Sequence, residues 1–201
     1  MTGMPGECFS AEVMGESLIF YTAAECFSPN AVDRGTLAML SVCNISAGEK
    51  VLDLGCGYGV VGIWAAKITD PRNVFMLDVC RSAVLCARKN AVINQTEEVT
   101  ILESDGFEAL TETGFDVILS NPPYHADFSV AKRFIEKGFN RLRIGGRMLM
   151  VVKREKWYQN KLTAVFGGCR KYEIGGYFVF EAVRKDVCRH DLAKRGKDNF
   201  I

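Results

Sequence analysis

The spacing of hydrophobic residues changes several times along the chain, and each change marks an element. Val51-Leu-Asp-Leu54 is a short apolar run that stops at three closely spaced glycines, Gly55, Gly57 and Gly59. From Val60 to Lys67 the apolar residues, Ile63 and Trp64 among them, return at helical spacing. That pattern predicts a strand, a tight turn and a helix. The alternation continues, with strands predicted over 73–79, 99–102, 115–119 and 147–152. Helices are predicted over 81–93, 129–142 and 157–166. Two further β-rich runs, 170–174 and 177–183, flank Gly175-Gly176 and read as a hairpin.

Alternating strands and helices imply a mostly parallel sheet covered on both faces. The expected fold is α/β and Rossmann-like: a doubly wound, mostly parallel seven-stranded sheet with an antiparallel C-terminal hairpin. Ahead of it, 10–13 and 18–21 are β-rich around Gly15-Glu16. A lone hairpin is marginal, so this one must pack on something. Cys26-Phe-Ser-Pro-Asn30 reads as a loop. Residues 31–42 read as a helix with Val32, Leu37, Met39 and Leu40 facing inward. The expected division is a small N-terminal β-hairpin/helix extension over 1–46, a main domain over 47–183 and a basic tail over 184–201.

At 201 residues, 48% of them hydrophobic, the chain can bury a real core. No apolar run approaches the ~18 residues of a membrane span. No basic segment followed by an apolar core opens the chain, so neither a signal peptide nor a membrane partner is expected. Eight cysteines are scattered without a Cys-x-x-Cys pair, and there are two histidines, His125 and His190. That usage predicts free thiols in a reducing cytoplasm and no metal site. Charge is uneven. Residues 1–120 hold 7 Lys/Arg against 16 Asp/Glu, net −9, and residues 121–201 hold 18 against 8, net +10. A basic half is compatible with a polyanionic partner. Arg141, Arg143, Arg147, Lys153, Arg154 and Lys156 are its candidate phosphate contacts.

The glycine turn follows a strand of a predicted parallel sheet, the edge where such sheets bind ligands. Gly57-x-Gly59-x-x-Gly62 also satisfies the dinucleotide fingerprint, so a nicotinamide-dependent oxidoreductase fits the glycines alone. Asp78 ends the next strand, about 20 residues on, where a carboxylate can accept from a ribose diol. Asp53 can orient the turn or meet a cationic ligand. Cys56, inside the turn, is a small filler. Asp105-Gly106 closes the third strand and offers an acceptor for an adenine amino group.

Asn121-Pro122-Pro123-Tyr124 ends the strand 115–119. Two prolines stop that strand and stiffen the backbone. They would hold the Asn121 side chain and the Pro122 carbonyl as two acceptors for one planar NH2 group, with the Tyr124 ring available for stacking. A carboxylate also accepts from NH2, so Asn121→Asp is expected to retain some activity.

Asp53-Leu-Gly55-Cys-Gly57-Tyr-Gly59, Asp78, Asp105 and Asn121-Pro-Pro-Tyr124 resemble the motifs of class I S-adenosylmethionine-dependent methyltransferases. Phe27-Ser28, Asp33-x-Gly35-Thr36 and the Asn121-Pro-Pro-Tyr-His125 form resemble the methyltransferase small domain group, which includes 16S rRNA guanine-N2 methyltransferases. The resemblance covers about residues 10–183. It implies an S-adenosyl-L-methionine-binding domain over 47–183. Gly55, Cys56, Gly57 and Gly59 would border the methionine part of the cofactor, and Asp53 would meet its cationic amine. Asp78 and Val79 would serve the ribose side, and Asp105 and Gly106 the adenine. Phe27, Asp33 and Thr36 would close the site. Asn121, Pro122 and Tyr124 would carry the transfer, with His125 a candidate substrate contact. The implied partner is an RNA, ribosomal RNA or a ribosomal subunit. An adenine-N6 or protein-glutamine N-methyltransferase uses the same tetrapeptide. A cofactor-binding module without catalysis would not need Asn121 and Tyr124.

Overall fold

A computed structural model describes residues 8–24, 26–123 and 128–186. Tyr124 and His125, the leader 1–7 and the tail beyond 186 lie outside the described residues.

The N-terminal strands β1 (Cys8–Val13) and β2 (Glu16–Tyr21) pair antiparallel as a sheet of their own. Their turn is Met14-Gly15, both left-handed at φ 49° and 90°, one residue before the expected Gly15-Glu16. Helix α1 (Arg34–Val42) starts three residues after the expected 31. Asp33 decides that start, because its carboxylate accepts the Thr36 N–H at 2.9 Å and caps the helix. Residues just before it belong to a loop, where the Tyr58 hydroxyl reaches the carbonyls of Ser28 and Ala31.

The main sheet contains β3 (Val51–Leu54), β4 (Val74–Asp78), β5 (Thr100–Glu103), β6 (Phe115–Ser120), β7 (Leu142–Val152), β8 (Arg170–Ile174) and β9 (Tyr177–Val183). Its order is β5-β4-β3-β6-β7-β9-β8. The first five strands in that order run parallel; β9 is antiparallel to both β7 and β8. Helices α2 (Val60–Ile68), α3 (Arg81–Ile93), α4 (Phe128–Arg141) and α5 (Glu155–Phe166) complete the mostly parallel, doubly wound fold. Strand β7 starts at Leu142 rather than 147, and its register against β6 shifts between Phe115 and Val117. Gly146 lies in that shift, where a Cβ would come within 2.6 Å of the Phe115 carbonyl. No described helix is long and apolar enough to cross a membrane.

Side-chain alternation sorts the core onto two faces. Val51, Val117, Leu119 and Leu149 pack with α2 and α3 residues such as Ile63 and Val84, whereas Leu52, Leu54 and Ile118 pack with Phe134, Ile135 and Leu162 of α4 and α5. Each such fully buried Leu or Ile contributes roughly 1.5–3 kcal/mol, so a one-residue slip of register is prohibitive.

The hairpin attaches to the same core. Val13, Leu18 and Phe20 are fully buried in the α2/α3-side cluster. Its polar attachment comes from two buried asparagines one turn apart on α3 and its C-cap. Asn90 accepts the Tyr21 N–H at 2.7 Å and donates to the Tyr21 carbonyl at 2.9 Å. Asn94 does the same for Ile19, at 3.0 and 2.7 Å. Side-chain amides thus stand in for a neighbouring strand along the edge of β2.

Candidate active site

Strand order reverses between β3 and β6, and the crevice at their carboxyl ends is where open α/β sheets bind ligands. A cavity of about 360 Å³ lies there, within the size range of small-molecule sites. Its lining gathers most of the residues singled out in the sequence. Phe27, Asp33 and Thr36 come from the N-terminal segment; Asp53, Gly55, Cys56 and Gly57 from β3 and its turn. Asp78 ends β4 and Val79 follows it, Asp105 and Gly106 follow β5, and Asn121 and Pro122 follow β6. The spread from residue 27 to residue 122 is bridged by the sheet, which brings the ends of four strands to one edge.

Gly55, Gly57 and Gly59 are all left-handed, at φ 79°, 55° and 96°. Gly59 does not line the cavity. It caps α2, and a Cβ there would meet the Ala87 Cβ at 3.3 Å, so it serves the packing of α2 on α3. Gly62, one turn later, serves the packing of α2 on β4: a Cβ would sit 2.2 Å from the Met76 sulfur. The turn is tied to β4. Leu77 accepts the N–H groups of Gly55 and Cys56 at 2.8 and 2.9 Å. One oxygen of Asp78 accepts the Gly57 N–H and the other the Cys80 N–H, both at 2.8 Å.

Asp53 is 2% exposed and accepts the Gly62 N–H at 2.9 Å. Burial pushes its carboxyl up to about 7; the Gly62 hydrogen bond opposes that and the Asp78 charge adds to it. A carboxyl therefore already occupies the first turn of α2, the place where a dinucleotide's pyrophosphate would need bare N–H groups. This edge suits a cationic ligand and disfavours a phosphate. Burial also holds the Cys56 thiol well above its usual range, with the charges of Asp53 and Asp78 adding to the effect. Cys56 is a protonated packing group rather than a nucleophile.

Asn121 is tied to the N-terminal segment. Its Nδ2 donates to Asp33 Oδ2 at 2.9 Å and to Thr36 Oγ1 at 3.0 Å. Its Oδ1 is buried and accepts no hydrogen bond among the described residues. A buried acceptor without a donor costs about 1–3 kcal/mol, a cost relieved when a ligand N–H enters.

Residues 17–181 match the family model of the methyltransferase small domain. The chain belongs to that family. Ribosomal RNA small subunit methyltransferase C of Pseudomonas putida is 32% identical over 184 residues, covering 89% of this chain and 55% of that protein. Ribosomal RNA large subunit methyltransferase G of Yersinia pestis is 26% identical over 181 residues, covering 86% and 46%. Among solved structures, the T. thermophilus 16S rRNA N2 methyltransferase in complex with AdoMet and guanosine superposes with a TM-score of 0.83 at 29% identity. That match covers 91% of this chain and 52% of the other. This methyltransferase small domain chain spans about half the length of the curated relatives it matches.

Other members of the site escape sequence reading. Arg133 of α4 lines the cavity and holds Asp105 in a two-pronged ion pair, one prong at 3.0 Å. Its only sequence signal was a cation one turn into a helix that follows the proline pair. Ser104, Tyr58 and Phe134 also line this small-domain cavity. Three expected phosphate contacts are corrected. Arg141 donates to the Thr111 and Glu112 carbonyls, each at 2.9 Å, and Arg143 pairs with Asp116. Arg147 pairs with Glu49 at 2.8 Å. These arginines hold the amino-terminal edge of the sheet, opposite the cavity. Lys153, Arg154 and Lys156 are exposed where β7 leads into α5, on the cavity's edge of the sheet.

Proposed function

We propose that this chain transfers a methyl group from S-adenosyl-L-methionine to an exocyclic amine, the N2 of a guanine in ribosomal RNA. The observation that carries the reading is the Asn121 amide, whose N–H groups are consumed while its buried oxygen lacks a donor among the described residues. An NH2 group is the ligand chemistry that answers such an acceptor.

The residues present fit the cofactor. The buried Asp53 carboxyl suits a cationic amine. Asp78, beside the glycine turn, retains lone pairs for ribose hydroxyls, and Asp105 with Gly106 lies at the next strand end for adenine. Phe27 and Val79 add exposed apolar surface, at 54% and 67%, to the same lining. The bound cofactor supplies an electrophilic sulfonium methyl. The chain's task is then to hold the amine nitrogen in line with that methyl. The lone pair of a guanine amine is delocalised into its ring, so the free amine is a poor nucleophile. Asn121 Oδ1 and the Pro122 carbonyl, accepting its two hydrogens, favour a pyramidal nitrogen with a localised lone pair. Positioning and preorganised dipoles supply the rate gain. Tyr124, proposed to stack on the base, lies outside the described residues. In this reading residues 47–183 bind the cofactor, and the 1–46 extension contributes Phe27, Asp33 and Thr36 to the same site. A ribosomal RNA substrate implies a cytoplasmic location. Similarity to the small subunit enzyme supports a ribosomal RNA substrate, and similarity to the guanosine-bound structure supports the choice of guanine.

Tritium transfer from methyl-labelled cofactor to small ribosomal subunits and to free rRNA, followed by nucleoside mass spectrometry, tests the reading. Label in N2-methylguanosine is expected. Asn121→Ala should lower kcat and kcat/KM together by on the order of 10²–10³ with cofactor affinity unchanged. Label only in adenosine or in protein, or wild-type turnover by Asn121→Ala, overturns it.

A further inference from the structure

An asparagine side chain can enter its slot either way round, and only one way leaves the oxygen as the group without a partner among the described residues. Nδ2 carries two hydrogens. Both are engaged here, by residues 88 and 85 positions earlier in the chain. Thr36 tolerates either orientation, because a hydroxyl donates as well as accepts. Asp33, as a carboxylate, only accepts. A flipped Asn121 would set Oδ1 against the Asp33 carboxylate, two acceptors face to face. Asp33 is itself fixed, because the same Oδ2 accepts the Thr36 N–H at 2.9 Å as the cap of α1. Thr36 is 7% exposed and cannot swing away into solvent.

We infer that Asp33 and Thr36 are positioning residues, which set the orientation of Asn121 and so decide that an acceptor meets the target nitrogen. The inference rests on the reading in which Asn121 Oδ1 accepts from the target amine, and it gives Asp33 and Thr36 a role other than holding the cofactor. It has two chemical consequences. With its donors consumed, Asn121 offers an incoming group an acceptor alone, so it favours an amine over a carbonyl. And a carboxylate at position 121 faces the Asp33 carboxylate at hydrogen-bond distance. The sequence expectation that Asn121→Asp keeps activity is therefore reversed: charge repulsion drives that side chain out of line.

Two readouts test this. The first is independent of turnover. Side-chain ¹⁵N NMR of the intact protein should show both Asn121 amide protons protected from solvent exchange, with Thr36→Val releasing one and Thr36→Ser restoring it. Rapid exchange of both in the wild type overturns the inference. The second separates kcat from binding. Thr36→Val should lower kcat about three- to tenfold, the worth of one hydrogen bond, with calorimetric affinity for S-adenosylhomocysteine within about twofold. Asp33→Asn keeps an acceptor and the helix cap, so its loss should be smaller. Asn121→Asp should turn over more slowly than Asn121→Ala, and adding Asp33→Asn should recover part of that loss. If Thr36→Val weakens cofactor binding as much as it slows turnover, or if Asn121→Asp outperforms Asn121→Ala, the inference fails. Protected amide protons with no methyl transfer to any amine would leave the lock standing and refute the proposed function instead.

Discussion

The carboxyl of Asp53 accepts the backbone N–H of Gly62 at 2.9 Å, joining β3 to the first turn of α2 beneath the cavity. The folded carboxyl holds its proton up to about pH 7, against 3.8 for the ordinary group. Between those values the folded state binds the proton and the unfolded chain releases it. Stability attributable to Asp53 is therefore present at low pH and declines as pH rises from about 4 to 7, by on the order of a few kcal/mol. Asn at 53 still accepts from Gly62 and has no charge to bury. Urea unfolding of wild type and Asp53→Asn at pH 5 and pH 8 should show the variant gaining on the wild type at the higher pH. A difference between them that does not vary with pH refutes the shift.

The same group links cofactor binding to pH in the opposite direction. A cationic ligand amine favours the ionised carboxylate. Affinity for S-adenosylhomocysteine should rise between pH 6 and pH 8 in the wild type and stay flat in Asp53→Asn, as read by calorimetry. Parallel profiles for the two proteins would place the ligand amine elsewhere.

Asp78 holds the glycine turn as well as facing the cavity. Asp78→Ala loses the proposed ribose contacts, each worth roughly 0.5–1.5 kcal/mol, and unties Gly57. Cofactor affinity should fall by at least tenfold. Unchanged affinity in a titration would remove Asp78 from the site.

Of the six candidate phosphate contacts, Lys153, Arg154 and Lys156 are the ones exposed on the cavity's edge of the sheet. Neutralising these three should flatten the salt dependence of RNA affinity, the log–log slope shrinking by about 0.7 for each single-strand phosphate no longer neutralised. Arg141→Gln should leave the slope unchanged, because that guanidinium is occupied by backbone carbonyls. Equal slope changes from both sets would show that the charge acts diffusely.

Asn90 carries both the hairpin and the glycine turn, since Nδ2 also donates to the Tyr58 carbonyl at 2.9 Å. Asn90→Ala strands the buried Tyr58 carbonyl at about 1–3 kcal/mol and removes the partner of the half-buried Tyr21 N–H and carbonyl. Thermal unfolding should shift down by several degrees, and cofactor affinity should drop with it. An unchanged Tm would mean that water replaces the amide without cost.

The elements were legible because their signals are local. Helix α3 and both C-terminal hairpin strands fall where periodicity and the Gly175-Gly176 pair put them. The lining was largely legible for a related reason. In a parallel sheet the residue that ends each strand reaches the same edge, so Asp78, Asp105 and Asn121 could be assigned to one site before their neighbours were known.

By itself, the sequence determined the fold class and the edge of the sheet at which Asp78, Asp105 and Asn121 gather around the cavity. Tertiary structure alone decided which groups are already engaged. Arg147 is held by Glu49, 98 residues away, Arg133 by Asp105, 28 away, and β2 by Asn90, 69 away. Tertiary structure also decided which way the Asn121 amide faces. Hydrophobic period and turn chemistry act over a few residues, so a linear pattern records them. Pairing of charges and orientation of an amide depend on partners that only the folded chain brings within hydrogen-bond distance.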